Sequence, residues 1–311
     1  MPVVRKKTEA PEVKPLIPAF RMRLGFDPEV FLAAAKGPGD QELILPTTVT
    51  TGTKGFPEYK GNGIGHLSDG VALELNTKVP ADTRDTWAHM CGAALKSLQG
   101  LPLTTQSIHY VPENLRKTPE FNELGCEPDY CAYERKMMPP MSVESLGNHR
   151  YAGGHIHISL KGADDLEVDP HLMAKAADVF LGSWMCGYTN GQRRKVMTAG
   201  RIRIKGKNYI EYRTPSNRWF LRGNTAALMV WDSLQSAMRA CVTPGGAALI
   251  EEQATRAREI INAPYSKTTE ANFQALQAAL INNTKHPEKK EWAPEIRERE
   301  LRWSDIREYL A

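Results

Sequence analysis

No stretch of this chain approaches the roughly 18 consecutive apolar residues of a membrane-spanning helix, so no membrane partner is expected. The start, Met1-Pro-Val-Val-Arg-Lys-Lys7, lacks the apolar core of a secretory signal, and a cytoplasmic setting is expected. A large excess of positive charge is also missing. Lys and Arg number 40 against 36 Asp and Glu, a net +4, too slight to argue for nucleic acid, which calls for a concentrated basic face. Five cysteines, odd in number and irregularly spaced, read as reduced thiols rather than a disulfide framework. Cys126 and Cys131, with His149 later, lack the second pair that would signal structural zinc. There is no Gly-x-Ser-x-Gly elbow for a serine hydrolase and no phosphate loop of the Walker kind. Gly52-Thr-Lys-Gly55 lacks that loop's glycine spacing and Lys-Ser/Thr ending, and Gly61-Asn-Gly-Ile-Gly65 has no evident strand before it and helix after it.

What is present is ordinary globular material, 41% hydrophobic and 24% charged, enough for one large core or two modest ones. Residues 1–19 carry Lys, Pro and Glu without apolar periodicity and read as a flexible leader or docking arm. From 20 to 223 short alternating strands mix with two helices. One spans about Ala81–Leu98, with Asp82 as its N-cap, and the other about Pro170–Tyr188. The remainder, 224–311, is helical, with segments at about 224–241, 246–263, 269–283 and 292–309 separated by Pro and Asn punctuation. The fold class is α+β, one catalytic domain carrying a helical C-terminal layer. Trp184, Trp219, Trp231 and Trp292 read as packing anchors, and the Lys285–Lys290 run as a solvated linker.

Four strands concentrate the chemistry. Because side chains alternate across a strand, Glu74 and Asn76 share the face opposite Val71, Leu73 and Leu75. His155, His157 and Ser159 oppose Ile156 and Ile158. Glu211 and Arg213 oppose Ile210 and Tyr212, while Asp27 and Glu29 lie together. A fifth segment, Arg201–Lys205, pairs best with Tyr209–Arg213 through a three-residue loop, Gly206-Lys207-Asn208. That register sets Ile204 opposite Ile210, Ile202 opposite Tyr212, Arg203 opposite Glu211 and Arg201 opposite Arg213. A cross-strand salt bridge accounts for the Arg203–Glu211 pair. Two facing arginines are costly unless an anion lies between them, and a polyphosphate is the preferred candidate. Carboxylates gathered from separate strands suit Mg²⁺ or Mn²⁺. Arginines beside them suit phosphate oxygens, the combination that phosphoryl transfer requires.

Taken in order, Gly25-Phe-Asp-Pro-Glu-Val-Phe31, Gly52-Thr-Lys-Gly-Phe-Pro57, Asp69-Gly-Val-Ala-Leu-Glu-Leu-Asn76, Gly153-Gly-His-Ile-His-Ile158 and Glu211-Tyr-Arg-Thr-Pro-Ser-Asn217 resemble the phage-encoded carboxylate–amine ligases, type 2. That family is a branch of the glutamine synthetase and glutamate–cysteine ligase superfamily. The resemblance covers about 20–225. It implies an antiparallel sheet whose concave polar face holds ATP and magnesium, packed by helices. By the same implication Glu29, Glu74, Glu211 and His155 are metal ligands. The resemblance further implies that Arg213 binds phosphate and that His155 or His157 helps with metal or nucleotide. Arg201, Arg203 and Lys54 join them as nucleotide-binding candidates, and Arg213, Glu211 and Glu74 are the catalytic candidates, with Asp27 and Asn76 in lesser roles. The expected activity is ATP-dependent amide formation through an acyl phosphate, from a carboxylate-bearing acceptor and an amine donor, in the cytoplasm of a bacterial host. Lys54 and the 108–150 segment, including Tyr110, Tyr130 and Tyr133, would shape the acceptor pocket. Two other classes fit the resemblance: phosphotransfer alone, as in the guanidino kinases of the superfamily, and a non-catalytic phage virion or docking part. An oligomer is compatible with all three.

Overall fold

The computed structural model describes residues 20–37, 40–59, 63–122, 128–139, 141–162, 166–185, 196–263 and 266–284. The expected leader, the helix at 292–309 with Trp292, the Lys285–Lys290 run and Cys126 lie outside them.

Among the described residues the fold is mixed α and β, a large antiparallel sheet packed by helices. Six strands position the polar residues: β1 (Phe20–Gly37), β2 (Ile64–Asp69), β3 (Ala72–Thr77), β4 (Gly154–Gly162), β5 (Arg201–Gly206) and β6 (Tyr209–Tyr212). They lie in the order β2-β3-β1-β4-β6-β5, all neighbours antiparallel. Glu58–Tyr59 extends the β2 edge, and Tyr130–Cys131 followed by Lys136–Met137 extends the β5 edge. The central strand β1 changes partners along its length. Residues 20–28 pair with β4 and residues 29–30 with β3, and the last part pairs with Asp40–Ile44 and Leu103–Thr104. Pro28, which has no amide proton to give a ladder, stands where the β4 pairing ends.

One face of the sheet is apolar. Met22, Leu24, Phe26, Leu73, Leu75, Ile156, Ile158, Ile202, Ile210 and Tyr212 are all buried there. Against it pack α1 (Arg84–Ser97), α2 (Pro170–Ala177) and α3 (Asn224–Cys241). An aromatic cluster joins the two layers. Phe26 meets Trp87 edge-on at 5.7 Å, and Trp87 stacks on Trp219 at 5.7 Å. The Trp87 indole N–H donates to the Ala227 carbonyl at 2.7 Å, satisfying its one polar atom and tying α1 to α3. Trp184, Trp219 and Trp231 are core residues, in keeping with their reading as packing anchors. The outer helices α4 (Pro244–Asn262) and α5 (Lys267–Thr284) come next, α5 packing on α4. Leu249, Phe273 and Leu280 belong to the same apolar cluster as the sheet.

Two helix expectations need correction. The N-cap of α1 is Thr83, not Asp82: the Thr83 hydroxyl accepts from the Thr86 amide while the Thr86 side chain reaches back to the Thr83 amide, a reciprocal capping box. Asp82 instead pairs with Arg21 at 3.2 Å. The second helix is not α throughout. After α2 comes one π turn, Asp178–Gly182, and a last α turn at Ser183–Met185; residues 186–188 lie outside the described set. The Tyr212 hydroxyl donates to Asp178 Oδ1 at 2.6 Å, and a Cβ on Gly182 would come within 2.3 Å of that hydroxyl. Only glycine fits there.

Asp178 is fully buried, and burial raises its carboxyl to about 7 in spite of the Tyr212 hydrogen bond. The folded chain therefore holds this proton to near neutrality, whereas the unfolded chain releases it near 3.8. By linkage, the stability this group contributes is full below that lower value and is lost as pH rises through about 7. Asp178→Asn, which keeps the acceptor and cannot ionise, should gain in Tm relative to the natural protein between pH 4 and 8, roughly. A constant difference across a pH series of thermal melts would contradict this assignment.

Candidate active site

The opposite face of the sheet is polar and forms one cleft of about 370 Å³. Glu29, Glu74, Lys54, His155, His157, Arg203, Glu211 and Arg213 all line it, with Asp27 and Asn76. Period-2 alternation does most of this. Glu29 stands opposite Glu74, Asp27 opposite His155, His157 opposite Glu211, and Glu211 opposite Arg203. The hairpin has the expected register, but its turn differs. Gly206 pairs with Tyr209, a bulge between Ile204 and Gly206 absorbs one residue, and Asn208 takes a left-handed φ of 56°. Asn is among the few side chains that tolerate this conformation.

The acidic half of the cleft holds Glu29, Asp69 and Glu74, whose carboxylate oxygens lie within 4.8 Å of one another. Like charges directly opposite oppose folding, so this grouping needs an explanation. Burial raises the Glu74 carboxyl well above its ordinary value, and Asp27, Asp69 and Glu29 push it further up against the pull of Lys54. Glu29 is aimed by its surroundings: its Oε2 accepts from the Gly153 amide at 2.7 Å, and its carbonyl accepts from the Asn217 side chain at 2.8 Å. Two of the sequence blocks, Gly153–Ile158 and Glu211–Asn217, thus converge on Glu29. Their glycines are required by close approach. A Cβ on Gly153 would stand 2.3 Å from His155 Nε2, and one on Gly154 would stand 2.2 Å from the Ser216 carbonyl.

Mg²⁺ with oxygen ligands at about 2.1 Å sets opposite donors about 4.2 Å apart. Carboxylates already this near one another fit a small hard cation with little movement. Lys54 reaches the same half from a tight turn in which Thr53 and Phe56 exchange backbone bonds and Gly55 takes φ of 84°.

The basic half is organised around two carboxylates, one buried and one half-buried. Glu211, only 1% exposed, meets Arg213, Arg203 (3.3 Å) and Lys205 (3.0 Å). Burial works to raise its carboxyl, but Arg213, His155 and Arg203 outweigh it and hold the group far below the usual carboxylate range. The second carboxylate is Asp129. Its oxygens lie 3.0 Å from Arg213 Nε, 3.5 Å from Arg203 Nε and 3.7 Å from Arg201 Nε.

Between the halves, His157 Nε2 lies 3.2 Å from Asp27 Oδ2, and its Nδ1 pairs with the Tyr209 hydroxyl at 2.8 Å. Burial would lower the His157 pKa, but Asp27 outweighs it and the imidazole is pushed up. Burial would likewise raise the Asp27 carboxyl, and His157 with His155 holds it down.

Neither protein-family models nor curated proteins match this chain.

The geometry revises several assignments. The anion between Arg201 and Arg213 is the protein's own Asp129, not a phosphate. Arg201 is 8% exposed and is not among the cleft-lining residues, so its side chain supports the cluster from behind. Glu211 and His155 do not join Glu29 and Glu74. They group with Asp27 as a second set of side chains near enough to share a metal ion, in which both Glu211 oxygens also meet the protein's own cations Arg213, Arg203 and Lys205. The described part of the 108–150 segment lines neither this cleft nor its neighbour; its contribution is Asp129. Cys131 is buried in a strand and belongs to no metal-competent group among the described residues.

Sequence patterning missed Asp69, Lys205 and Asp129. Lys205 sits on the polar face of a strand already recognised, two positions from Arg203, and alternation alone would have found it. Asp69 ends the strand Ile64–Asp69, whose cleft-side face also carries buried Leu67, so no polar alternation marks it. Asp129 carries no such signal.

If Asp129 balances three guanidinium groups, Asp129→Ala should destabilise the fold by about 3 kcal/mol, the usual cost of stripping a buried charge of its partner. Added sulfate should recover more Tm in the variant than in the natural protein. Equal response to sulfate would show that Asp129 is not the counter-ion.

Proposed function

We propose that this protein is an ATP- and divalent-metal-dependent carboxylate–amine ligase, with the active-site organisation of the glutamine synthetase and glutamate–cysteine ligase superfamily. The observation that carries this reading is the juxtaposition, in one cleft, of a three-carboxylate cluster and a set of preorganised cations on adjacent strands. A metal–polyphosphate presents the complementary pattern, positive at the cation and negative along the phosphates.

In this reading Glu29, Asp69 and Glu74 hold Mg²⁺ or Mn²⁺, which when bound supplies charge neutralisation to the phosphate oxygens. Arg203, Lys205 and Arg213 bind the transferring phosphoryl group, and Glu211 and Asp129 hold those side chains in place beforehand. Lys54 closes over the acidic half. An acceptor carboxylate oxygen bonds to the γ-phosphorus as the bond to ADP breaks, giving an acyl phosphate. The amine nitrogen then attacks the acyl carbon, phosphate departs with the carbon–oxygen bonding pair, and the nitrogen gives up a proton. Preorganisation matters because these cations need not reorient as charge moves.

Three outcomes are expected. Mg²⁺ or Mn²⁺ should raise Tm and do so more strongly as pH rises, because cation binding must displace the proton that Glu74 retains; Glu74→Gln should remove most of that effect. If the cation response is unchanged in the variant, the acidic half is not the metal site. Arg213→Ala should weaken ATP binding by about 10-fold or more, the worth of a charge-assisted contact, while leaving Mg²⁺ binding less affected, as read by calorimetry. Product analysis then separates the chemistry. Amide plus free phosphate supports ligation, a phosphorylated acceptor supports phosphotransfer, and no ATP binding at millimolar concentration supports a non-catalytic role.

A further inference from the structure

The polar face does not end at the first cleft. It continues into a second of about 620 Å³, and Asn76 and His157 line both. The same alternation that builds the first site builds this one. Along β1 the residues facing the clefts run Glu29, Asp27, Gly25, Arg23. Along β3 and just past it they run Glu74, Asn76, Lys78. Along β4 they run His155, His157, Ser159, Lys161, and along β6 into its turn Glu211, Tyr209, Lys207. The pairings Glu29–Glu74, Asp27–His155, Arg23–Ser159 and Ser159–Tyr209 align these rows. Each of the four strands therefore passes from acid or imidazole to base in the same direction.

The outcome is a compartment lined by Arg23, Lys78, Lys161 and Lys207 and, among the described residues, by no carboxylate. Lys207 has a distant partner in exposed Glu167, at 3.8 Å, and Lys78 lies 5.7 Å from the Tyr59 ring. Neither neutralises the compartment. Four like charges around one cavity raise the local concentration of anions, and the volume suits a small molecule. The passage between compartments has a low floor at Gly25. A Cβ there would lie 3.3 Å from Thr77 Oγ1 and 3.4 Å from His157 Cβ.

We propose that this second compartment seats the acceptor substrate, and that the acceptor is a small molecule bearing two or more carboxylates. One carboxylate reaches the threshold at Asn76 and His157, beside the phosphoryl-transfer groups. The others are held among Arg23, Lys78 and Lys161. The assignment rests on the ligase reading, which requires a carboxylate to enter the first cleft, and it adds the acceptor's charge and point of entry.

Calorimetry with citrate as a polycarboxylate probe, acetate as a monocarboxylate and inorganic phosphate as an alternative anion tests it on the full chain. Lys78 and Lys161 are exposed, so Lys78→Glu with Lys161→Glu is compatible with folding, checked by circular dichroism. The Lys78→Arg, Lys161→Arg pair serves as the charge-conserving control. Citrate should bind more tightly than acetate, and the reversal should weaken it by about 10-fold or more, with the arginine pair close to natural and Mg²⁺–ATP binding changed by less than about twofold. Citrate binding unaffected by reversal overturns the proposal. So does phosphate binding without citrate binding, and so does an equal loss of Mg²⁺–ATP, which would give the compartment to the nucleotide. Failure of the natural protein to bind Mg²⁺–ATP sinks the ligase reading instead. A citrate response to reversal in that case still supports a polycarboxylate site.

Discussion

Asp27 and Glu29 stand two residues apart on a strand whose pairing places both over the same cleft, and everything else in the site answers to that constraint. A central strand cannot rotate its polar side chains away without moving Phe26 and Val30 out of the core. The two carboxylates are thus held in place by apolar packing on the other side of the sheet. β3 adds Glu74 directly opposite Glu29. The protein does not relieve this crowding with its own cations alone. Lys54 approaches from a turn, yet the Glu74 carboxyl remains pushed up by burial and its acidic neighbours. Crowding of carboxylates at the expense of their own ionisation is the kind of local cost that marks a place where function is sought.

The basic half solves the opposite problem. Arginines brought this close together repel one another unless anions stand between them. Here Glu211 and Asp129 take the repulsion, each shared among several cations. Buried ion networks rarely add much net stability, because desolvation offsets attraction. What they provide is a fixed direction for each guanidinium. The face of Arg203 and Arg213 that reaches the cleft is oriented by the face that meets a carboxylate, which is how a bidentate group is prepared for a second anion.

How much of the fold and the site is legible in the sequence depends on whether a residue sits in a periodic element. The strand faces, the hairpin register and the three described helices after Asn224 follow from alternation and spacing. The acids, imidazoles and arginines that Asp27, Glu29, Glu74, His155, His157, Glu211 and Arg213 bring to the cleft were therefore identifiable. The details that escaped are local and chemical. The choice of Thr83 over Asp82 as N-cap depends on a reciprocal hydrogen bond with Thr86. The turn at Lys207–Asn208 depends on a bulge that lets Asn208 take a left-handed conformation. The π turn at Asp178 depends on a buried tyrosine hydroxyl contributed by β6. Asp129 escaped because it lies in an irregular segment, held by a backbone bond from Met138 to its carbonyl at 2.7 Å, where no period points its side chain anywhere. The reading of Arg201 failed for the same reason. Its partner was real, but it came from a loop.

The separation of charge along the sheet is the deeper consequence of alternation. A strand face exposes a residue only every second position, so a strand of six residues offers about three on one side. Four strands then give a small grid, and its rows, not its columns, define local electrostatics. In this protein the row through Glu29 and Glu74 is acidic. The row through Asp27 and His155 couples acid to imidazole, and the next holds Gly25, His157 and Glu211. The one after it carries Arg23 with Ser159 and Tyr209, with Lys161 one step further out. Gly25, with no side chain, keeps the middle of the grid open. Moving any one strand by a single residue would bury its charges in the apolar core, while moving it by two would preserve the alternation and mix the rows. The first error is prevented by hydrophobic burial. The second is prevented only by particular contacts, such as the Gly153 amide on Glu29 and His157 on Asp27. The polar contacts of the site therefore specify register as well as chemistry, and residues assigned to binding also keep the sheet in line.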